Sequence, residues 1–272
     1  MKLKEFIYLL GLKPRPRTYG VEIQAHDLPR EGRIEVAQWL KPKAHKMLPT
    51  QAEVDRHRAF LKPGDVAIDV GAHMGDTALP IALAVGATGA VFALEPNPYI
   101  YPVLERNAGL NRDRTRIIPL MFAAMREEGE YEFQYGTPDF DNGGFHEGMS
   151  KWLHGSAFTV KVKGKNLTDH LRAHHADLLP RLRFIKVDAE GFDLAVLETL
   201  EPLIQEYHPY LQVEVFSQKR SLPGYRADLI GFLQRHGYEL RRVERTPADQ
   251  WTIVTPANMD QWVNYDVFCI PR

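Results

Sequence analysis

Three stretches of this chain carry residue types at spacings that chemistry needs. The first is V-A-I-D-V-G-A-H-M-G-D-T, Val66 to Thr77, an apolar run that breaks into a loop with glycines at Gly71 and Gly75. Glycines at a strand-to-helix turn let backbone approach a ligand closely where a Cβ would obstruct it. The second, V-F-A-L-E-P from Val91 to Pro96, ends in Glu95. A carboxylate there can accept hydrogen bonds from both hydroxyls of a ribose. Together these two specify a nucleoside pocket. The third, F-I-K-V-D-A-E-G-F-D from Phe184 to Asp193, sets Asp188 and Glu190 one residue apart before a turn at Gly191. Paired carboxylates at a strand end can orient a hydroxyl and accept its proton.

The loop spacing narrows the choice of nucleoside. A dinucleotide fingerprint reads G-x-G-x-x-G, whereas this loop reads D-x-G-x-x-x-G with Asp69 inside the strand. No G-K-S/T follows, which excludes a phosphate-cradling P-loop. An acidic residue ahead of two glycines suits a ligand with an ammonium group and no phosphate, such as S-adenosylmethionine. A nicotinamide-dependent oxidoreductase is the alternative, and the spacing disfavours it. A catalytically silent binding protein on the same scaffold is a third reading, against which the pair Asp188 and Glu190 argues.

The elements that must position these residues follow from the pattern along the chain. With 272 residues, 44% apolar and 25% charged, the composition is that of one large globular domain, residues 51–272, with an N-terminal extension over 1–50. A formal net charge of −1 argues against a nucleic-acid partner. Arg112, Arg114 and Arg116 read as a solvated helix-to-strand turn. The single cysteine, Cys269, lies in an apolar segment and reads as core. The start, M-K-L-K-E-F-I-Y-L-L-G-L, faintly resembles a signal sequence, but K-P-R-P-R follows in place of a small-residue cleavage site. It reads as a short amphipathic helix of a cytoplasmic protein, with no segment long enough to cross a membrane. The expected partner is a small molecule; self-association into a homo-oligomer stays open.

After a helix over Gln51–Leu61, strands and helices alternate, which predicts a mostly parallel sheet with helices on both faces. Strands are expected at Val66–Val70, Val91–Leu94, Arg116–Phe122, Arg183–Val187, Leu211–Val215, Tyr238–Val243 and Tyr265–Ile270. Helices are expected from near Asp76, from Pro98 with Asn97 as its cap, over Asn166–Leu179, Phe192–Ile204 and Tyr225–His236. Glu130–Tyr135 and Phe158–Val162 are β-rich and flank a glycine-rich loop, Asp139–Gly148. In such sheets ligands bind beyond the carboxyl ends of the strands, which singles out His73, Asp76, Glu95, Asn97, Asp188, Glu190 and Glu214.

The first loop, Glu95 and the strand order resemble the class I methyltransferases, an α/β fold with a seven-stranded Rossmann-like sheet. F-I-K-V-D-A-E-G-F-D resembles the signature I-K-x-D-x-E-G-F-[ED] of the FkbM methyltransferases, and G-A-H-M-G-D-T resembles that family's G-A-N-x-G-D-T, with His73 in place of the usual Asn. E-P-N-P after the second strand, A-x-x-x-x-x-G at Ala123–Gly129 and N-G-G at Asn142–Gly144 also match, so the resemblance covers roughly Glu53 to Phe216. It implies S-adenosylmethionine-dependent O-methylation of a hydroxyl on a sugar, glycoside or polyketide-type metabolite. Asp69, Gly71, Ala72, His73, Gly75, Asp76, Thr77, Glu95, Asn97 and Ala123 would bind the cofactor.

Asp188 is the expected base. Glu190 would hold the acceptor, tune Asp188, or join it around Mg²⁺. Glu214 is a third carboxylate near the same crevice. Asn142, His146 and His154 stand in or near the glycine-rich loop, in reach of an acceptor. E-P-N-P-Y lies after the wrong strand to act as the N-P-P-Y motif of base-nitrogen methyltransferases. His170, His174 and His175 include an i, i+4 pair that can bind zinc, and a solvated helix face is the favoured reading.

Overall fold

The computed structural model describes residues 17–135, 143–144, 158–216, 224–244, 246 and 250–272. The predicted N-terminal helix over the first twelve residues lies outside this range. Residues 21–39 form an antiparallel hairpin, β1 (Val21–Leu28) and β2 (Gly32–Trp39). Sequence reading left this region without an element. Its strands do alternate, and they bury Leu28, Ile34 and Val36. Helix α1 (Gln51–Arg58) opens with a capping box in which the Thr50 side chain accepts from the Glu53 N–H and Glu53 accepts from the Thr50 N–H.

Then come β3 (Val66–Val70), α2 (Ala78–Val85), β4 (Ala90–Leu94), α3 (Tyr101–Ala108) and β5 (Ile117–Leu120). Every residue of β3 and β4 is buried, which is why they read as unbroken apolar runs. Helix α3 begins a turn later than predicted. The Asn97 side chain accepts from the Tyr99 N–H at 2.9 Å, closing a separate turn before the helix, so Asn97 is not the helix cap.

Strands β6 (Ala123–Ala124), β7 (Gly129–Tyr135), β8 (Gly143–Gly144) and β9 (Phe158–Lys165) build a second, four-stranded sheet in the order β6-β9-β7-β8. The chain closes with α4 (Leu167–His174), β10 (Leu182–Val187), α5 (Asp193–Tyr207), β11 (Tyr210–Val215), α6 (Tyr225–Arg235), β12 (Tyr238–Arg242) and β13 (Tyr265–Pro271). Helix α4 is shorter than expected, because the chain leaves the helix at His175 before a short 3₁₀ turn at Leu179–Arg181.

The main sheet has seven strands in the order β12-β13-β11-β10-β3-β4-β5, parallel except for β13, which runs antiparallel to both neighbours. Alternate residues of each strand feed two cores. One joins Ile68, Phe92, Ile185 and Val213 to α4, α5 and α6; the other joins Ala67, Ala93 and Phe184 to α2 and α3. The predicted fold class is thus observed, and Cys269 is buried in the first of these cores. From β3 the chain builds outward to β5 and then returns to β10 on the opposite side. The carboxyl ends of β3 and β10 are therefore the topological switch point, where open α/β sheets form their crevice.

Two asparagines of the α3 region dock the hairpin on this frame. Asn107 accepts from the Ala37 N–H at 2.6 Å and donates to the carbonyls of Ala37 and Met74; Asn111 accepts from and donates to the backbone of Glu35. Arg114, in the predicted solvated turn, donates to the carbonyls of Glu31 and Arg33. These side chains stand in for a neighbouring strand. They also bring Trp39, at the end of β2, against Met74 and Ile100 beside the crevice. Among the described residues no helix is long and apolar enough to cross a membrane.

Candidate active site

A cavity of about 440 Å³ opens at the switch point, a size ordinary for a small-molecule site. The loop after β3 contributes Gly71, His73, Asp76 and Thr77; the loop after β4 contributes Glu95 and Asn97; the loop after β10 contributes Asp188 and Glu190. These are sequence-predicted residues brought to one place from three strand ends. Ala123 also lines the cavity, beside Phe122.

Glu95 is buried to 7% exposure, and the backbone holds both of its oxygens. Oε2 accepts from the His73 N–H at 3.0 Å, and Oε1 accepts from the Asn97 N–H at 2.8 Å. Burial raises its pKa, opposed by these N–H groups and by His73. Each carboxylate oxygen has two acceptor sites, so the one already used leaves another for a ligand hydroxyl. His73 itself sits at φ 49°, in the left-handed region that Asn, Asp and His enter more readily than bulkier residues. This conformation aims its N–H at Glu95, and it explains why Asn or His suits the position.

The D-A-E-G turn is folded by the last residue of its own motif. Asp193, fully buried at the start of α5, accepts from the N–H groups of Ala189 and Gly191 and from the Tyr225 hydroxyl, at 2.8, 3.1 and 2.9 Å. Burial pushes its pKa up to about 6 against those hydrogen bonds. Within the turn Glu190 takes φ 52°, a strained conformation of the kind that collects at functional sites. Asp193→Ala would strand two N–H groups and a hydroxyl. We expect a loss of about 2–5 kcal/mol, from several lost hydrogen bonds to a charged group, read by denaturant unfolding. A loss below 1 kcal/mol would mean that the turn is held by other contacts.

Several predicted residues sit elsewhere. Ala72 is buried in the core, its N–H on the Leu94 carbonyl, and Gly75 packs towards Leu104; neither lines the cavity. Asp69 lies wholly buried beneath it, 3.7 Å from Lys186, and neither carboxylate oxygen has a hydrogen bond. Burial pushes the Asp69 pKa up to about 6, with the Lys186 charge opposing. Glu214 is inside β11 opposite Asp266 rather than past the strand, and it does not line the cavity. Burial, then the charges of Asp188 and its neighbours, push its pKa up.

Asn142, His146 and His154 lie outside the described residues. Among the described residues no group of three or more His, Cys, Asp or Glu side chains is arranged to hold a metal ion. Asp188 contacts a lysine, and the set does not fit Mg²⁺ without further ligands. His170, of the predicted zinc spacing, packs against Phe122 and His174, with ring centroids 4.8 and 4.7 Å away; burial lowers its pKa.

Sequence reading missed three contributors. Lys186 lines the cavity, with Nζ 3.1 Å from Asp188 Oδ2. Its signal was its place two residues before Asp188 on the same strand face. His45, from the segment after the hairpin, reaches the cavity too, and no periodicity or motif marks it. Phe133, from β7, forms part of an apolar wall; its alternating strand was legible, its destination was not.

Comparison with known proteins bears on the same loops. The methyltransferase FkbM domain family matches residues 69–240. Methyltransferase sdnD of Sordaria araneosa is 27% identical over 225 residues, covering 74% of this chain and 85% of that protein. Hexuronic acid methyltransferase AglP of Haloferax volcanii is 29% identical over 152 residues, covering 56% of each chain. A crystal structure of an FkbM methyltransferase from Methylobacillus flagellatus aligns with 80% of this chain and 50% of that one, at a TM-score of 0.44 and 15% identity. The family match spans more than half of the chain and takes in the cavity loops after β3, β4 and β10: this protein belongs to the FkbM methyltransferase family.

Proposed function

We propose that the protein is an S-adenosylmethionine-dependent O-methyltransferase acting on a hydroxyl of a small molecule, a sugar, glycoside or polyketide-type metabolite. The observation that carries this reading is the pairing, in one cavity, of the backbone-held Glu95 carboxylate with Asp188 at the switch point. S-adenosylmethionine, when bound, supplies an electrophilic methyl group. Glu95 would take the ribose hydroxyls, and Phe122 and Ala123 offer apolar surface to the base. Asp188 would orient the acceptor hydroxyl and accept its proton, because a neutral hydroxyl is a poor nucleophile. Glu190, exposed at the rim, would hold the acceptor.

Family membership removes the nicotinamide oxidoreductase alternative. Turnover separates an enzyme from a silent binding protein. The relative named for hexuronic acid supports a carbohydrate acceptor, so sugars and uronic acids head the panel. A uronic acid offers both hydroxyls and a carboxylate. Mild alkali distinguishes the products: a methyl ester is hydrolysed and a methyl ether persists.

The cofactor assignment has its own test. Glu95→Ala removes the ribose acceptor and should weaken S-adenosylhomocysteine binding by about 1.5–3 kcal/mol, the worth of charged hydrogen bonds. Calorimetry would read this as a roughly tenfold to hundredfold rise in Kd. Glu95→Gln, which retains one acceptor oxygen, should fall between. Unchanged affinity in both variants would remove Glu95 from the cofactor site.

A further inference from the structure

Asp69, Lys186 and Asp188 form a chain of charges running from the sheet interior to the cavity. Lys186 of β10 is the register partner of Asp69 of β3, so the two side chains stand side by side on one face of the sheet. Asp188, two residues on, continues that face. The ammonium lies 3.7 Å from Asp69 Oδ1 and 3.1 Å from Asp188 Oδ2. Exposure rises along the chain, from 0% at Asp69 and 8% at Lys186 to 42% at Asp188.

Fold stability is a poor explanation for this arrangement. Burying an ion pair costs both partners their hydration, and apolar residues of similar volume often do as well or better. The Asp69 carboxylate makes the cost greater, since no hydrogen bond satisfies either oxygen. What the pair does provide is a fixed cation directly against Asp188, the carboxylate of this chain of charges that reaches the cavity. On its other side, Lys186 is the register partner of Gln212, which donates to Asp266 at 2.7 Å. The lysine is therefore flanked by strands on both sides and buried.

We propose that Lys186 is a positioning residue for methyl transfer: anchored from beneath by Asp69, it occupies one oxygen of Asp188 and presents the other to the acceptor hydroxyl. The inference rests on the reading of Asp188 as the group that meets the acceptor. Lys186 acts through Asp188 and touches neither the methyl group nor its destination.

The test measures kcat, acceptor KM and S-adenosylhomocysteine affinity for Lys186→Met, Lys186→Arg, Asp188→Asn and Lys186→Met/Asp188→Asn. Lys186→Met should lower kcat about tenfold to a hundredfold, the penalty of a slightly misplaced group, with cofactor affinity unchanged. Lys186→Arg should recover part of the loss. Added to Asp188→Asn, Lys186→Met should change kcat less than about twofold, because the group it positions is already gone. Should Lys186→Met fail to fold, Asp69→Asn/Lys186→Met removes both charges together and should reproduce the loss in kcat.

Wild-type kcat in Lys186→Met or in the neutral pair, with Asp188→Asn impaired, would overturn the proposal and leave the Asp188 reading standing. Losses that multiply in Lys186→Met/Asp188→Asn would also overturn it, since Lys186 would then act independently. Full turnover by Asp188→Asn alone would instead refute the Asp188 reading, and the inference with it.

Discussion

Asp188→Asn should fold, bind S-adenosylhomocysteine as the parent protein does, and transfer methyl groups ~10²–10⁴-fold more slowly, the usual cost of a lost general base. Shape is conserved in this change. The amide oxygen can still accept from the Lys186 ammonium, and the backbone N–H of residue 188 still donates to the Val70 carbonyl at 3.1 Å. Only the ability to take a proton is lost. Asp188 is also separate from the Glu95 side of the cavity, so cofactor affinity should stay within a few-fold. The measurement is single-turnover methyl transfer to a true acceptor, beside calorimetry with the product cofactor. Near-wild-type turnover would mean that proximity alone drives the reaction and that Asp188 serves the fold. An acceptor with a carboxylate in place of a hydroxyl needs no base, so indifference to this substitution paired with an alkali-labile product would identify ester formation.

The sequence was legible where local pattern and tertiary role coincide. β3 and β4 are fully buried on both faces, and their apolar runs announced strands of that kind. Glu95 ends such a run, and the loops of an open sheet must gather at the carboxyl end, so its place in one cavity with Gly71 and Asp188 is readable from the sequence.

Misreadings arose where a distant partner decides. Lys186 has no assigned role in the sequence, because its partner Asp69 comes beside it only when β10 pairs with β3. Glu214 belongs to the predicted strand itself rather than to the loop beyond it, and in β11 its register partner is Asp266 of β13. Asn97 carries a real capping signal, and a local turn claimed it before the helix did. The hairpin β1–β2 alternates as strands should in V-E-I-Q-A-H-D-L, but flanking prolines and lysines weigh against any element there. It is held by Asn107 and Asn111, about seventy residues away.

Gly71→Ala should damage both stability and catalysis, for a reason the loop motif does not reveal. Glycine there was expected because a ligand comes close. Its nearest obstacle is the protein itself: a Cβ on Gly71 would lie 2.0 Å from the backbone oxygen of Asp188, at a φ of 81° that disfavours any side chain. No rotamer relieves a clash with backbone, so the ends of β3 and β10 must part. The conformational cost is about 1 kcal/mol, and overpacking adds about 1–3 kcal/mol. At about 2–4 °C per kcal/mol for a domain approaching this size, Tm should fall by roughly 4–16 °C. Turnover should fall more than 10²-fold, because a displacement near 1 Å separates Asp188 from the groups across the cavity.

Gly86→Ala is the control. It has φ 69° and ψ 179°, a region nearly confined to glycine, with nothing within 4 Å of its Cβ, so it should show a backbone cost of about 1–3 kcal/mol, no packing clash, and full activity. Were a bound ligand the sole reason for Gly71, its alanine variant would match Gly86→Ala in Tm and lose only cofactor affinity. Thermal unfolding of the two variants without ligand therefore decides whether this glycine is shaped by the cofactor or by the joint between two strands.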